Sequence, residues 1–152
     1  MTLQLEAPTA NFKVLSPPAM ATFEALQRAL PPEEFTAVEL WLETFYHFQL
    51  EWLLSWSRFE LVLKSRQIGC SHTYAAAAVL WGMLGETTSI ISVGEREAIE
   101  MLDKVHRHCL VLSELGSNWA KHTATNTKIT LQSGGRILAL PATSGGRSYS
   151  GN

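Results

Sequence analysis

The first third of the chain shows helical periodicity that is interrupted by pairs of prolines. Residues 1–18 are mixed in character and end in such a pair, which predicts a loose leader. Residues 21–30 predict a short helix, because a second proline pair follows them. Glu33 and Glu34 suit the positive end of a new helix, and apolar and aromatic side chains then recur at three- and four-residue spacing from Trp41 to Trp56. This spacing predicts one long amphipathic helix, whose aromatic side chains are expected to pack in the core.

After residue 57 the pattern changes to alternating strands and helices. Residues 59–63 are apolar and bounded by polar residues, as in a buried strand, and a polar loop covers residues 64–71. The alanine-rich residues 72–84 predict a buried helix, and the β-branched, uncharged residues 88–93 predict a second strand. Residues 95–112 predict a further amphipathic helix. This order of elements is typical of an α/β fold with parallel strands.

A β-hairpin is predicted near the end of the chain. Residues 128–131 and 136–140 are short strand-like stretches, and the Ser-Gly-Gly sequence at 133–135 suits the turn between them. The Gly- and Ser-rich residues 143–152 follow. The predicted fold class is therefore α/β, with a parallel sheet core, an N-terminal helical segment and a C-terminal β-hairpin.

Composition and charge exclude several classes of protein. The chain has 152 residues, of which 46% are hydrophobic and 17% are charged, so it is not wholly disordered. The net charge of -2 is unlike that of a generally basic nucleic-acid binder. Two cysteines are too few for a disulfide scaffold and suit a reducing compartment. Neither a signal peptide nor an apolar run long enough to cross a bilayer is evident in the sequence.

The loop at residues 64–71 has the setting of a phosphate-binding loop. Such a loop joins a strand to a helix, and its backbone N–H groups and the helix dipole stabilise bound phosphate. Against the pattern G-x-x-x-x-G-K-[ST], Gly69 and Ser71 match the second glycine and the hydroxyl. Lys64 replaces the first glycine, and Cys70 replaces the lysine. On this spacing, phosphate binding and an ordinary strand-to-helix turn both remain open.

Two cations in this loop supply the charge that the usual lysine would carry. Lys64 has a flexible four-carbon stem, which reaches the β- and γ-phosphates from the start of the loop. The guanidinium of Arg66 is expected to bind phosphate oxygens through paired hydrogen bonds. The hydroxyl of Ser71 has two interpretations, as a ligand of Mg²⁺ or as a helix cap.

The loop sequence Lys-Ser-Arg-Gln-Ile-Gly-Cys-Ser resembles the variant Walker A loop of the terminase large subunits of tailed bacteriophages, which are the ATPases that drive DNA packaging. Residues 47–52, His-Phe-Gln-Leu-Glu-Trp, are similar to the segment of that family that contacts adenine. Residues 133–142 and 146–151 are similar to the stretch that leads into the family's Walker B strand. The resemblance covers residues 45–152, with the segments in the family's order.

This resemblance implies a partial P-loop NTPase core of the ASCE type that binds ATP and Mg²⁺. It assigns Lys64 to the β- and γ-phosphates, Arg66 to the γ-phosphate and Gln49 to the edge of adenine. Ser71 would hold Mg²⁺, and Arg147 would act catalytically on the ATP of a neighbouring subunit, alongside Lys64 and Arg66 in their own site. The nucleotide contacts implied are Gln49, Lys64, Ser65, Arg66, Gln67, Ile68, Gly69, Cys70 and Ser71.

The resemblance divides the chain into residues 1–57, with the leader, the helices and the adenine segment, and residues 58–152, an incomplete ATPase core. Hydrolysis needs a Walker B carboxylate and an adjacent glutamate. No acid follows Glu114, and the single aspartate, Asp103, lies inside a predicted helix. The chain is therefore expected to stop before Walker B and to bind ATP without appreciable hydrolysis by itself.

The partners implied by the family are double-stranded phage DNA, the portal protein, the terminase small subunit and further copies in a homo-oligomeric ring. The implied location is the bacterial host cytoplasm, without a membrane. Two alternatives remain open. One is a degenerate, non-catalytic remnant that acts only through protein contacts, which Cys70 favours. The other is a different P-loop ATPase, such as a helicase-like protein.

Other chemical groups have simpler interpretations. His106 and His108 point to opposite sides of a regular helix and cannot share a metal ion, so a surface pair beside a buried Cys109 is expected. Cys70 and His72 lack a third orienting residue for nucleophilic catalysis. The basic residues between 121 and 147 form either a solvated face or a contact for DNA phosphates.

Overall fold

The computed structural model describes residues 12–57, 61–62 and 67–142. After a short 3₁₀ turn, these residues form five α-helices and four β-strands. The helices are α1 (Pro17–Ala29), α2 (Pro32–Leu42), α3 (His47–Leu54), α4 (Cys70–Met83) and α5 (Glu95–Glu114). The strands are β1 (Thr87–Ser92), β2 (His122–Ala124), β3 (Lys128–Leu131) and β4 (Arg136–Pro141). The described part of the chain is therefore a mixed α/β fold with helices at its N-terminal end.

Two N-terminal predictions are wrong in detail. The predicted leader included Pro17, but this proline begins α1, since its fixed φ and missing N–H suit the first position of a helix. The long helix predicted up to Trp56 is broken between α2 and α3. Phe45 closes a turn there by donating its backbone N–H to the carbonyl oxygen of Leu42. Because the aromatic spacing continues through this turn, the sequence pattern conceals the break.

The sheet has the strand order β1-β4-β3-β2. β1 and β4 are parallel, with Thr87 opposite Arg136, whereas β4–β3 and β3–β2 are antiparallel. The predicted hairpin is confirmed as β3 and β4. The sheet is mixed and not purely parallel: besides the predicted hairpin, it contains β2, which was not predicted and pairs antiparallel with β3.

The strand predicted at residues 59–63 is described only at Leu61 and Val62. Neither residue belongs to a strand, and 89% of the Leu61 surface is exposed. The prediction of a buried strand is therefore wrong at these two positions. Its other three residues lie outside the described part of the chain.

Among the described residues, one apolar core joins the N-terminal helices to the sheet. It runs from Leu15 in the N-terminal part to Ala139 in β4. Helices α4 and α5 pack on each other and on β1 and β4. Buried alanines on α4 permit this close approach, namely Ala75, Ala76 and Ala78. No helix in the described ranges is both long and apolar enough to span a membrane.

Candidate functional site

A pocket of about 520 Å³ lies between the start of α3 and the start of α4. Its volume is in the range of small-molecule sites in proteins. The residues that line it are Thr44, Tyr46, Phe48, Gln49, Gln67, Ile68, Gly69 and His72. Two short segments, residues 44–49 and residues 67–72, therefore supply the walls.

The segment before α4 has an unusual backbone. Gln67 has φ of 60° and Gly69 has φ of 78°, both in the left-handed region. Glycine adopts this conformation without steric cost, whereas glutamine is strained there. Gly69 precedes α4, and its carbonyl oxygen accepts hydrogen bonds from the backbone N–H and the hydroxyl of Thr73. The chain thus turns sharply at Gly69 and enters α4 beside the pocket.

Gln49 joins the two walls. Its side chain is only 6% exposed. Its Oε1 accepts the backbone N–H of Tyr46 at 3.1 Å, and its Nε2 donates to the carbonyl oxygen of Ile68 at 3.4 Å. A Cβ added at Gly69 would overlap Gln49 Nε2, so a residue with a side chain there would displace the amide. A single buried amide therefore fixes the start of α3 against the loop that leads into α4.

Aromatic rings form the outer wall of the pocket. The rings of Tyr46 and Phe48 are nearly parallel, with centroids 5.9 Å apart. Phe48 is 39% exposed and contacts Trp52 edge-on at 5.8 Å. Stacked rings with an accessible edge provide apolar surface for a planar ligand.

The imidazole of His72 completes the pocket from the first turn of α4. Its ring contacts those of Phe45 and His108, with centroids 5.2 Å and 4.3 Å away. Burial lowers the pKa of His72, and the nearby positive charge of Lys104 lowers it further. Both effects disfavour the protonated form of the ring.

His108 contacts His72 and supports this side of the pocket. Trp41 Nε1–H donates to His108 Nδ1 at 3.2 Å. His108 Nε2 then carries the proton and donates to the carbonyl oxygen of His72 at 3.0 Å. Burial lowers the pKa of His108 to about 4, with a smaller contribution from His72 in the same direction. The neutral ring therefore connects α2 and α5 to the first turn of α4.

The pocket combines aromatic rings with the start of a helix. None of the eight lining residues is acidic. The backbone N–H groups in the first turn of α4 have no partner within the helix and carry the positive end of its dipole. The pocket therefore has aromatic rings in one wall, and the N-terminal end of α4 begins next to its lining residue Gly69.

Four residues that the sequence assigned to nucleotide binding line this pocket: Gln49, Gln67, Ile68 and Gly69. Cys70 and Ser71 follow in the first turn of α4. The remaining predicted site residues lie outside the described part of the chain, namely Lys64, Ser65, Arg66 and Arg147.

Sequence reasoning missed the aromatic wall and His72 as part of the pocket. Tyr46 was given no role by the sequence, and Phe48 entered only as part of the adenine segment at residues 47–52. His72 directly follows the loop octamer, and this adjacency was the available signal.

The other histidines do not share one site. His106 and His122 contact each other through Nδ1 and Nε2 at 2.7 Å. His108 is buried, so the expectation that it lies on the surface beside His106 is wrong, while Cys109 is buried as predicted. In the described ranges, no group of three or more His, Cys, Asp or Glu side chains is placed to hold a metal ion.

Comparisons with known protein families, with curated proteins and with solved structures found no match to this chain.

Proposed function

We propose that the pocket between α3 and α4 binds ATP, and that the chain is the ATP-binding part of a phage or prophage DNA-packaging ATPase similar to the terminase large subunits. One observation carries this proposal. The adenine segment around Gln49 and the loop at residues 67–69 are separate in sequence, yet they line one pocket and are joined by the Gln49–Ile68 hydrogen bond. If the resemblance to terminases is real, these two segments must lie close together. The hydrophobic periodicity of the sequence does not by itself predict this proximity.

The chemistry of the pocket agrees with such a ligand. The rings of Tyr46 and Phe48 would pack against adenine. Gln49 lines the pocket, and its second amide N–H and the second lone pair on Oε1 would contact the base edge. The phosphates would lie at the start of α4, where Ser71 is exposed and able to reach a bound Mg²⁺. Lys64 and Arg66 would neutralise the phosphate charge from the preceding part of the loop.

The fold that accompanies this proposal is a partial P-loop NTPase core of the ASCE type. The parallel pairing of β1 with β4 supports it, as does the glycine-led entry into α4. Double-stranded DNA, a portal protein, a small subunit and further copies of the chain are the proposed partners. The bacterial host cytoplasm is the proposed location.

Nucleotide titration of the purified chain tests the proposal. We expect binding of Mg²⁺-ATP by calorimetry, and an affinity at least about tenfold lower for Lys64→Ala, since one charge-assisted contact of 1.5 kcal/mol or more is lost. Lys121→Ala is the matched control, because Lys121 is an exposed lysine outside the pocket lining. Phe48→Ala tests the aromatic wall, since it truncates a partly exposed ring.

Two results would contradict the proposal. One is a chain whose circular dichroism shows a folded protein but which does not bind Mg²⁺-ATP at millimolar concentration. The other is equal affinity in the wild type, Lys64→Ala and Phe48→Ala, because the ligand would then bind elsewhere.

A further inference from the structure

Two histidines outside the pocket bring their imidazole rings together. His106 lies in the middle of α5, and His122 begins β2. His106 Nδ1 and His122 Nε2 are 2.7 Å apart, and the rings meet nearly at right angles with centroids separated by 4.8 Å. Both residues are partly exposed, so the pair is accessible to solvent. Neither residue lines the pocket, and their chemistry is therefore independent of the proposed nucleotide site.

The fold fixes the backbone on both sides of this pair. Val105 and Cys109, which flank His106 on α5, are completely buried in the core. β2 pairs antiparallel with β3, where His122 is opposite the buried Leu131. Ligands whose backbone is already fixed lose less conformational entropy when they bind an ion. The two imidazoles are therefore partly preorganised.

Hydrogen bonds define which nitrogens carry protons. His122 Nδ1 is 3.2 Å from the carbonyl oxygen of Ala120, which can only accept a hydrogen bond, so Nδ1 carries the proton of the neutral ring. The lone pair of His122 is then on Nε2, and it accepts the N–H of His106 Nδ1. A histidine that binds a metal usually donates its other ring N–H to a carbonyl or carboxylate group in this way. His122 thus directs a supported lone pair towards His106.

We propose that His106 and His122 form a two-histidine site for a divalent transition-metal ion that binds its ligands at right angles, such as Ni²⁺ or Cu²⁺. Two nitrogens bound to one ion at about 2.0 Å are about 2.8 Å apart at a right angle and about 3.3 Å apart at the tetrahedral angle. The observed separation of 2.7 Å agrees with the right-angled arrangement. The rings therefore need almost no movement to bind such an ion.

The ion takes the place of the proton between the two rings. That proton moves through solvent from His106 Nδ1 to Nε2 of the same ring, so both rings remain neutral and each offers a lone pair to the metal. Water completes the coordination, since the structure shows no group of three or more His, Cys, Asp or Glu ligands in the ranges it describes. A bound ion would join α5 to β2.

Titration of the chain, purified without a histidine tag, with Ni²⁺ tests the site. Ni²⁺ is the better probe because Cu²⁺ oxidises accessible thiols, and Cys70 is partly exposed. Calorimetry is expected to show at least about tenfold weaker binding in His106→Gln and in His122→Gln, since loss of a mere supporting hydrogen bond at a metal site costs that much. His47→Gln, at an exposed position on α3, is the matched control and should retain the wild-type affinity.

A second measurement uses only the wild-type chain and does not depend on the folding of a variant. Paramagnetic Ni²⁺ at substoichiometric concentration is expected to broaden the imidazole NMR signals of His106 and His122 before those of His47 and His72. Mg²⁺ prefers oxygen ligands and should leave the signals of the pair unchanged. Equal Ni²⁺ affinity in the wild type and in both pair variants, with circular dichroism showing that all are folded, would overturn the inference. Broadening that begins at other histidines would also overturn it.

Discussion

At the scale of single residues, two buried polar groups connect distant parts of the chain. His108 links Trp41 to the backbone of His72, and both of its ring nitrogens are used. Glu34, in the first turn of α2, accepts hydrogen bonds from the Ser117 hydroxyl and from two backbone N–H groups. Removal of either side chain would leave several hydrogen-bonding groups in distant parts of the chain without their partner.

His108 is expected to make stability depend on pH. Its folded pKa of about 4 lies below the unfolded value of 6.5, so the unfolded chain binds the proton more tightly. Its contribution is fully present above pH 6.5 and falls as the pH decreases from 6.5 towards 4. Between neutral pH and pH 5 the free energy of unfolding should fall by about 2 kcal/mol on account of His108 alone.

Urea unfolding at both pH values checks this expectation. His108→Gln should be less stable at neutral pH and should show a smaller decrease towards pH 5. His47→Gln, at an exposed position, should retain the wild-type decrease. An unchanged pH dependence in His108→Gln would show that His108 is not protonated on unfolding in this range.

Glu34 is expected to be essential to stability although no cation pairs with it among the residues that the structure describes. Its carboxylate accepts the backbone N–H of Asn118 at 2.8 Å and that of Trp119 at 3.2 Å. Glu34→Ala would leave these donors and the Ser117 hydroxyl without their acceptor, which costs about 3 kcal/mol. Thermal or urea unfolding measures the loss. Glu33→Ala, at an exposed neighbouring position, should change stability by less than about 0.5 kcal/mol, and a similar effect of both substitutions would contradict the role of Glu34.

At the scale of elements, α4 approaches the turn between β3 and β4 closely enough for backbone contact. Ser133 donates its hydroxyl hydrogen to the carbonyl oxygen of Gly82 in α4 at 2.8 Å. A Cβ at Gly135 would overlap the backbone of Gly82, and one at Gly82 would meet a methyl group of Leu131. The two glycines therefore set the distance between the helix and the hairpin.

Gly135→Ala is expected to destabilise the protein by about 3 kcal/mol, because the helix and the hairpin must separate to make room for the methyl group. Gly134→Ala is the useful comparison. Gly134 has open space around its Cα but φ of 97°, so its substitution should cost only about 1 kcal/mol of backbone strain. Urea unfolding of the two variants measures the difference. Equal losses would mean that turn conformation, and not the contact with α4, is the constraint at Gly135.

The elements that sequence predicted well are those whose pattern is local. The start of α5 at Glu95 and the hairpin follow from amphipathic spacing and from a Gly-Gly turn. β2 was not predicted, because it has only three residues and shows no alternation of apolar and polar positions. Its position depends on its pairing with β3. The pocket could be predicted only in part. The resemblance pointed to Gln49 and the loop, but the contribution of His72 depends on the packing of α4 against α5.

At the scale of the whole molecule, helices from residues 1–57 and the sheet share one core. Trp41 in α2 contacts His108 in α5, and Glu34 in α2 contacts the segment that follows α5. Cooperative unfolding is expected when buried groups from both halves of a chain depend on each other.

The thiol of Cys109 reports on this cooperativity. It is completely buried, and burial raises its pKa to about 12. A thiol reagent should therefore label Cys109 only when the chain unfolds, at the same urea concentration at which helical circular dichroism is lost. Cys70→Ser provides the background for this measurement, because Cys70 is partly exposed and should react in the folded protein. Labelling of Cys109 well before the loss of helix would show that the two halves open separately.

The parallel pairing of β1 with β4 has a consequence for the synthesis of the chain. Thr87 is opposite Arg136, 49 residues further along. Closing a loop of that length has an entropic cost, which precedes the stabilisation that the strand pairing provides. The ribosome must therefore complete α5 and the hairpin before β1 can pair with β4. Until then the uncharged sequence Thr-Thr-Ser-Ile-Ile-Ser is accessible to other nascent chains, and slow translation of residues 93–141 should favour its aggregation.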